Sequence, residues 1–390
     1  MSQKEFDIIV YGASGYTGQL VAEYLSGQYG TGKLRWAMAG RSQDKLETVR
    51  GDKGIAEQVP LIVSDATDAD ALSALVQRTQ VVLTTVGPYQ LYGSDLVAAC
   101  AASGTDYVDL CGEPNWMRQM IDAHESTAQQ SGARIVFSCG FDSVPFDLGV
   151  YMLQRKALER FGHCLPRVRG RVRKMQGTFS GGTAASLKAT LAAAAKDPQV
   201  LDLLRNPLSL APQSIATAEQ PRDNKPFFDE VAGSWVTPFI MAAINTRNVH
   251  RSNLLQDYLY GKDFLYDEMV LTGPGDKGEA AARAMAEQNP MSDKNGPKPG
   301  EGPSKAEREA GFYDLLFIGT DDDGNRIDVG VTGDKDPGYG STSKMISECA
   351  VCLVEDQLPT IGGVWTAASA MGDTLLHRLE GNAGLAFTVE

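Results

Sequence analysis

Short apolar runs alternate with stretches of helical periodicity through the first 140 residues. Phe6–Tyr11 (FDIIVY), Leu34–Ala39 (LRWAMA), Leu61–Ser64, Val81–Val86, Tyr107–Leu110 and Arg134–Ser138 have strand length. Between them come Tyr16–Tyr29, with apolar residues at helical spacing, a charged helix at about Asp44–Arg50, and helices at 68–78, 93–103 and 114–130. Strand and helix alternating at these lengths predict βαβ units, and therefore a parallel, doubly wound sheet.

The pattern changes after Phe141-Asp142-Ser143-Val144-Pro145, which puts a domain boundary at 143/144. A helix is expected over about 145–161, with Asp142 or Ser143 placed to cap its N–H groups. Arg167–Gly177 is a basic, β-rich segment, and 183–197 an Ala-rich helix. A loop with Pro207, Pro212, Pro221 and Pro226 follows, then an apolar but mixed stretch, Trp235–Val249. Residues 272–309 set Gly, Pro, Lys and Glu around an Ala-rich helical core, and Asn295–Ser304 (NGPKPGEGPS) reads as a mobile loop. Gly311–Thr320 and Arg326–Thr332 flank a hairpin turn, Asp321-Asp322-Asp323-Gly324-Asn325, so part of the second unit's sheet should be antiparallel. Helices near 341–355 and 366–380 complete the series.

Composition removes whole classes of function. Thirty-six Lys and Arg against 49 Asp and Glu give a net charge of −13 over 390 residues. Such a chain lacks the basic field of a nucleic-acid binder. No apolar run approaches the ~18 residues of a membrane span, so no transmembrane segment is expected. The first strand comes with no signal-peptide core before it, which points to a soluble, cytoplasmic protein. Six scattered cysteines in mostly apolar surroundings suit reduced, buried thiols. Cys349-Ala-Val-Cys352 has the spacing of redox and zinc pairs, but it falls inside an expected helix without a second pair. Two core-facing cysteines one turn apart are expected there. With four histidines and no HxxxH or HExxH spacing, no metal site is expected.

Candidate chemistry gathers at the strand ends. Gly12-Ala13-Ser14-Gly15-Tyr16-Thr17-Gly18 follows the first strand and opens the first helix. A glycine-rich turn there lets backbone N–H groups approach a pyrophosphate at the positive end of the helix. The spacing is GxxGxxG, with Ala13 where the first glycine of GxGxxG would stand. The second strand ends at Gly40-Arg41-Ser42, where an NAD site wants a carboxylate for the ribose 2′-hydroxyl. An arginine and a hydroxyl stand there instead, with Lys45 one turn on. A guanidinium pairs bidentately with phosphate, so Arg41, Ser42 and Lys45 point to the 2′-phosphate of NADPH or NADP+.

The third strand ends at Ser64-Asp65-Ala66-Thr67, beside the expected adenine edge. Asp65 and Ala66 are candidate contacts there, and a helix N-cap is the plainer use of the same turn. The fourth strand ends at Val86-Gly87-Pro88-Tyr89-Gln90-Leu91-Tyr92. Sheet topology puts Val86, Gly87 and Pro88 near the nicotinamide, with Tyr89 and Tyr92 as candidate proton donors or simple packing residues. On the same rim Cys111 is a candidate cofactor contact, while Asp109 and Glu113 are placed to cap the next helix or to orient substrate. In the second domain Gly181, Gly182 and Thr183 open the Ala-rich helix, a setting for a carboxylate, carbonyl or phosphate. Asn245, Arg247 and Arg251 are expected to face a cleft between the domains or to form a solvated turn.

The ordered set GASGYTGQLVAEYL, AGRS, GPYQLYG, YVDLCGE, CGFDSVPFDLG, SGGT, INTR, DPGYGSTSKM and GGVWTAASAMGD spans nearly the whole chain. It resembles the saccharopine dehydrogenase-like oxidoreductases, and most of all their bacterial branch, the trans-acting enoyl reductases. GASGYTG and AGRS are shared with many NADP enzymes; GFDSVPFDLG and DPGYGSTSKM are more specific. The resemblance implies an α/β fold. A Rossmann-type doubly wound parallel sheet would occupy residues 1–143, and a second α+β domain with a mixed sheet, for substrate and dimerisation, 144–355. Residues 356–390 would return to the first domain.

The implied activity is NADPH-dependent reduction of a C=C bond in an acyl chain, in lipid or polyketide assembly. The substrate would be a small-molecule or carrier-bound acyl group. Hydride goes to its β-carbon, the enolate needs a donor such as the Gly181/Gly182 backbone or a tyrosine hydroxyl, and Tyr92 or Tyr89 is the candidate for the α-proton. A sister branch reduces an imine between lysine and an oxo-acid and must hold two or more carboxylates. Arg247, Arg251 and the Arg169/Arg171/Arg173 strand are the cations available for that. A third reading is an NADP-binding scaffold without turnover, in peripheral contact with a lipid surface. A homodimer is compatible with each.

Overall fold

The apolar runs of the first 140 residues become strands because their Val, Ile and Leu side chains are covered on both faces of one sheet. The computed structural model describes residues 4–177, 181–211, 218–221, 224–288 and 301–390. The first strands are β1 (Phe6–Tyr11), β2 (Trp36–Gly40), β3 (Leu61–Val63), β4 (Thr79–Thr84), β5 (Asp106–Val108) and β6 (Arg134–Val136). Then come β7 (Arg167–Gln176), β8 (Phe227–Asp229), β9 (Ser234–Pro238), β10 (Leu265–Gly273), β11 (Phe312–Thr320) and β12 (Arg326–Gly333). Two short strands, β13 (Gly363–Trp365) and β14 (Leu385–Val389), close the chain.

Among the described residues these make two seven-stranded sheets, ordered β13-β6-β5-β4-β1-β2-β3 and β14-β12-β11-β7-β10-β9-β8. The first is parallel throughout, with Ile8 paired to Trp36 on one side and Val81 on the other. In the second only β7 and β10 run parallel. The α/β class with a parallel and a mixed sheet is the architecture expected.

The end of the chain divides. β13 extends the first sheet beyond β6, whereas β14 pairs with β12 at the edge of the second. Residues 356–390 therefore do not return whole to the first domain. The helix Thr342–Glu355, expected with the second domain, packs on β1, β4 and β5 and on the helix Tyr16–Gln28. It buries Met345, Ile346, Cys349 and Cys352, so the two cysteines face the core. Its Glu348 accepts from the hydroxyls of Tyr24 (2.7 Å) and Tyr29 (2.6 Å). One apolar cluster consequently runs from Ile8 and Val10 through Cys349 to Val172 and Phe317. A second cluster covers the other face of the parallel sheet.

Three other expectations change. Neither Asp142 nor Ser143 caps the helix Val144–Phe161 with its side chain. Trp235–Val249 splits into β9 and the start of the helix Ala242–Leu255. Of the expected loop Asn295–Ser304, residues 295–300 lie outside the described residues; Pro303 is buried and Gly302 half-buried, while Glu301 and Ser304 are exposed. Gly302 lies against the Tyr16 ring, and Ser304 forms a capping box with Glu307.

Candidate active site

A cavity of about 990 Å³ opens where the loops leaving β1 to β6 meet the second domain. The chain turns from β1 to β2 on one side and to β4 on the other, so the cavity lies at the sheet's switch point, where such folds hold ligands.

The glycine loop forms one end. Gly12 has φ +90° and its carbonyl accepts from Gly15 N (2.9 Å). Gly12, Ser14, Gly15, Tyr16 and Thr17 line the cavity. Gly15 opens the helix with no side-chain cap, leaving its first N–H groups to an anion. Gly18 does not line the cavity; a Cβ on it would lie 2.1 Å from the Gly12 carbonyl oxygen, so its place is close packing of helix on loop. Arg41 lines the cavity at the end of β2. Ser42 and Lys45 do not: Ser42 caps the helix Gln43–Asp52 by accepting from Lys45 N (3.4 Å), and Lys45 is exposed. Asp65, Ala66 and Thr67 follow along the wall. Asp65 is no N-cap, since Asp68 caps that helix. The Thr67 backbone N–H and hydroxyl, with Arg41 nearby, hold the Asp65 carboxyl below the usual carboxylate range.

Val86, Gly87 and Pro88 continue the lining past β4. Here the two tyrosines separate. Tyr89 is 4% exposed; its hydroxyl donates to Thr84 O (3.3 Å) and accepts from Leu110 N (3.0 Å). Tyr89 also lines the cavity, but burial pushes its phenol well up and its hydroxyl is held by those two backbone groups. Tyr92 lines the cavity and is 43% exposed. Glu113 holds this loop: its carboxylate accepts from Tyr89 N (2.8 Å), Gln90 N (3.0 Å), Gln90 Nε2 (2.8 Å) and Ser186 Oγ (2.6 Å). It thus ties the β4 loop to the helix Gly181–Lys196, a role the sequence did not suggest. Asp109 is internal as well, accepting from Cys111 N and Ser138 N, both at 2.9 Å, and burial pushes it up to about 7. Cys111 is buried behind the wall with its sulfur accepting from Glu113 N (3.4 Å), and it does not line the cavity.

The opposite wall is mainly apolar. Met175, Leu187, Leu191, Phe239, Ile240 and Met241 line it, with Gly182 and Thr183 at the helix start. Gly181 is buried and donates its N–H to the Tyr339 hydroxyl (3.1 Å). Asn245 does not reach the cavity; its Nδ2 donates to the buried Glu268 (2.9 Å). Arg247 lines the cavity, but its guanidinium donates to Ser209 Oγ (3.0 Å) and to the carbonyls of Ala243 and Leu204. Arg251 is buried against Leu210 O (2.8 Å), Val364 O (2.6 Å) and Glu125 (3.1 Å).

The β7 arginines are also engaged. Arg171 pairs with Asp229 (2.8 Å) and Asp267 (2.9 Å), Arg173 with Asp314 (3.3 Å) and Glu390, and Arg169 donates to Thr320 (3.0 Å).

Comparison with known proteins fits this geometry. A family model described as the saccharopine dehydrogenase NADP binding domain matches residues 8–136. The chain is 42% identical over 402 residues to a protein of Mycobacterium tuberculosis (strain ATCC 25618 / H37Rv) provisionally named a trans-acting enoyl reductase, covering 96% of each. It is 38% identical over 409 residues to the trans-acting enoyl reductase of Mycobacterium ulcerans (strain Agy99), covering 97% of this chain and 96% of that one. The apo saccharopine dehydrogenase (L-Glu forming) of Saccharomyces cerevisiae superposes with a TM-score of 0.59 at 10% identity, over 99% of this chain and 100% of that one. That last likeness is one of fold.

Proposed function

The chain belongs to the saccharopine dehydrogenase-like NADP-binding oxidoreductases, in the trans-acting enoyl reductase branch, and we propose that it reduces the C=C bond of an α,β-unsaturated acyl thioester. The carrying observation is the cavity wall facing the β4–β6 rim. It offers Met175, Leu187, Leu191, Phe239, Ile240 and Met241, while the arginines suited to carboxylates hold internal partners. A substrate with several carboxylates would lose hydration there without gaining counter-charges. An acyl chain gains roughly 0.8 kcal/mol for each methylene it buries.

The residues fit NADP(H): glycines keep side chains out of a helix N-terminus, and Arg41 stands where a 2′-phosphate would lie. Gly12, Ser14, Gly15 and Thr17 would hold the pyrophosphate, Asp65 and Ala66 the adenine edge, and Val86–Pro88 the nicotinamide side. Bound NADPH supplies the hydride for the β-carbon. Tyr92 donates its hydroxyl hydrogen bond to the thioester oxygen as negative charge grows there, which favours the transition state over the ground state. The apolar wall aligns the acyl chain and excludes water from it. The substrate is delivered free or on a carrier, in the cytoplasm; no helix among the described residues is long and apolar enough to cross a membrane.

The test follows NADPH absorbance with trans-2-enoyl thioesters of increasing length and with lysine plus 2-oxoglutarate. Turnover is expected with the thioesters only, with KM falling as the chain lengthens. Turnover with the amine and oxo-acid instead would replace this reading with C–N chemistry.

A further inference from the structure

The loop Phe137–Ser143 leaves β6 as the last strand-end loop on the cavity rim, on the β4–β5–β6 side away from Arg41. Its backbone is fixed from several directions. Cys139 N donates to Asp109 O (2.7 Å), Phe141 N to Thr342 Oγ1 (3.0 Å) and Ser143 N to Ser138 O (3.0 Å). Ser143 Oγ accepts from Asn248 Nδ2 (2.8 Å), which belongs to the second domain's helix Ala242–Leu255. Both domains therefore hold the residue between these points, Asp142, at the cavity wall.

Other enclosed carboxyls nearby have donors. Glu113 and Asp109 are described above, and Asp147 accepts from Ser252 Oγ (2.5 Å) and Ala368 N (2.9 Å). Asp142 differs. It is half-buried at the cavity wall, and among the described residues its carboxyl has no hydrogen-bond or ion-pair partner. A carboxyl crowded by protein and left without a partner favours its neutral, proton-carrying form. Burial alone pushes Asp142 up to about 7, the range in which a general acid both holds and releases a proton near neutral pH.

We propose that Asp142 delivers the proton to the α-carbon of the bound enoyl group, leaving Tyr92 to the thioester oxygen. The inference rests on the enoyl-reductase reading and names the acid it requires. The substrate's β-carbon gains a hydride from NADPH, which becomes NADP+. The π electrons pass toward the α-carbon, where a C–H bond forms as the Asp142 O–H bond breaks. The carboxylate then regains its proton from water.

Asp142→Asn keeps the size of the side chain and removes the acid. An infrared difference spectrum of wild type minus this variant, without substrate at about pH 6, is expected to show the carbonyl stretch of a protonated carboxyl. NADPH affinity is expected to stay within about twofold, and turnover of trans-2-dodecenoyl-N-acetylcysteamine to fall roughly 100- to 10,000-fold. Asp142→Ala should be similarly slow and recover part of its turnover on addition of formate. A missing acid band, or an Asp142→Asn variant as fast as an active wild type, overturns this inference alone. A wild type inert on the thioester overturns the enoyl reading and this inference with it. Should Asp142→Asn not fold, Asp142→Glu carries the test: turnover no better than that of Asp142→Ala overturns the proposal.

Discussion

On the first-domain side of the cavity, six strand-end loops present backbone and polar or aromatic residues, Arg41, Asp65 and Tyr92 among them, and the strands behind them are apolar: Ile8–Val10 and Val81–Leu83 are buried completely. On the other side the apolar residues face the cavity and the charges lie inside the domain. Arg171, Asp229, Asp267 and Glu268 are buried in the mixed sheet, and Arg247, Arg251 and Asn245 in the helix beside it. The two walls thus reverse the usual association of polar with functional. In the first domain function lies in loops that a regular sheet positions. In the second the polar residues hold the frame, and the hydrophobic ones line the cavity.

The sharpest way to break this contrast is Gly15→Val. A Cβ at Gly15 meets only the Gly12 carbonyl oxygen, at 3.3 Å, so the fold should survive while the side chain fills the anion's place. NADPH binding, followed by cofactor fluorescence, should fall at least roughly 1,000-fold with little change in thermal midpoint. Near-normal binding by the folded variant would take the phosphate site away from this loop.

Arg171→Leu probes the other wall. Burial pushes the Asp229 carboxyl up, and the Arg171 guanidinium, together with the Ala232 N–H and Arg169, more than offsets this, leaving it below the usual carboxylate range. Without that cation a buried carboxylate is left unpaired, at a cost of about 3–5 kcal/mol in denaturant-measured stability. NADPH affinity of the molecules that remain folded should not change. A stability loss under about 1 kcal/mol would show that the mixed sheet does not depend on the pair.

Arg41→Asp is the smallest of the three effects and the most selective. Losing one charge-assisted bidentate contact should weaken NADPH about 30- to 150-fold and leave NADH nearly unchanged. Equal affinity of the wild type for both cofactors would remove Arg41 from the site.

The glycine loop, Arg41 and the parallel sheet were legible because strand, turn and helix follow one another at fixed lengths, and that local order determines where a strand end points. Legibility ended where direction depends on distant partners. Tyr89 and Tyr92 are three residues apart in one loop and both line the cavity, yet one is buried with its hydroxyl on two backbone groups and the other is exposed. The helix Ala242–Leu255 has polar residues from Asn245 to Asn253 and is buried almost throughout, so it shows no amphipathic period and resembles a solvated turn. Asp142 before a proline-started helix has the signature of a cap, and only tertiary placement distinguishes a cap from a cavity carboxyl. β13 has three residues, and β14 finds its partner in β12, more than 50 residues earlier in the chain. Pro198–Arg205 is a helix whose start signal, Asp197 capping Gln199 N before Pro198, lay within a stretch that its other prolines marked as loop.

The central claim is that the cavity brings a nicotinamide hydride to the β-carbon of an enoyl thioester. The direct measurement uses NADPH deuterated at nicotinamide C4, in separate runs for each face, with trans-2-dodecenoyl-N-acetylcysteamine as substrate and mass spectrometry of the product. The account predicts a saturated thioester carrying one deuterium, at the β-carbon, from one of the two labelled cofactors. An unreduced thioester, or a saturated product without deuterium at the β-carbon, would contradict it.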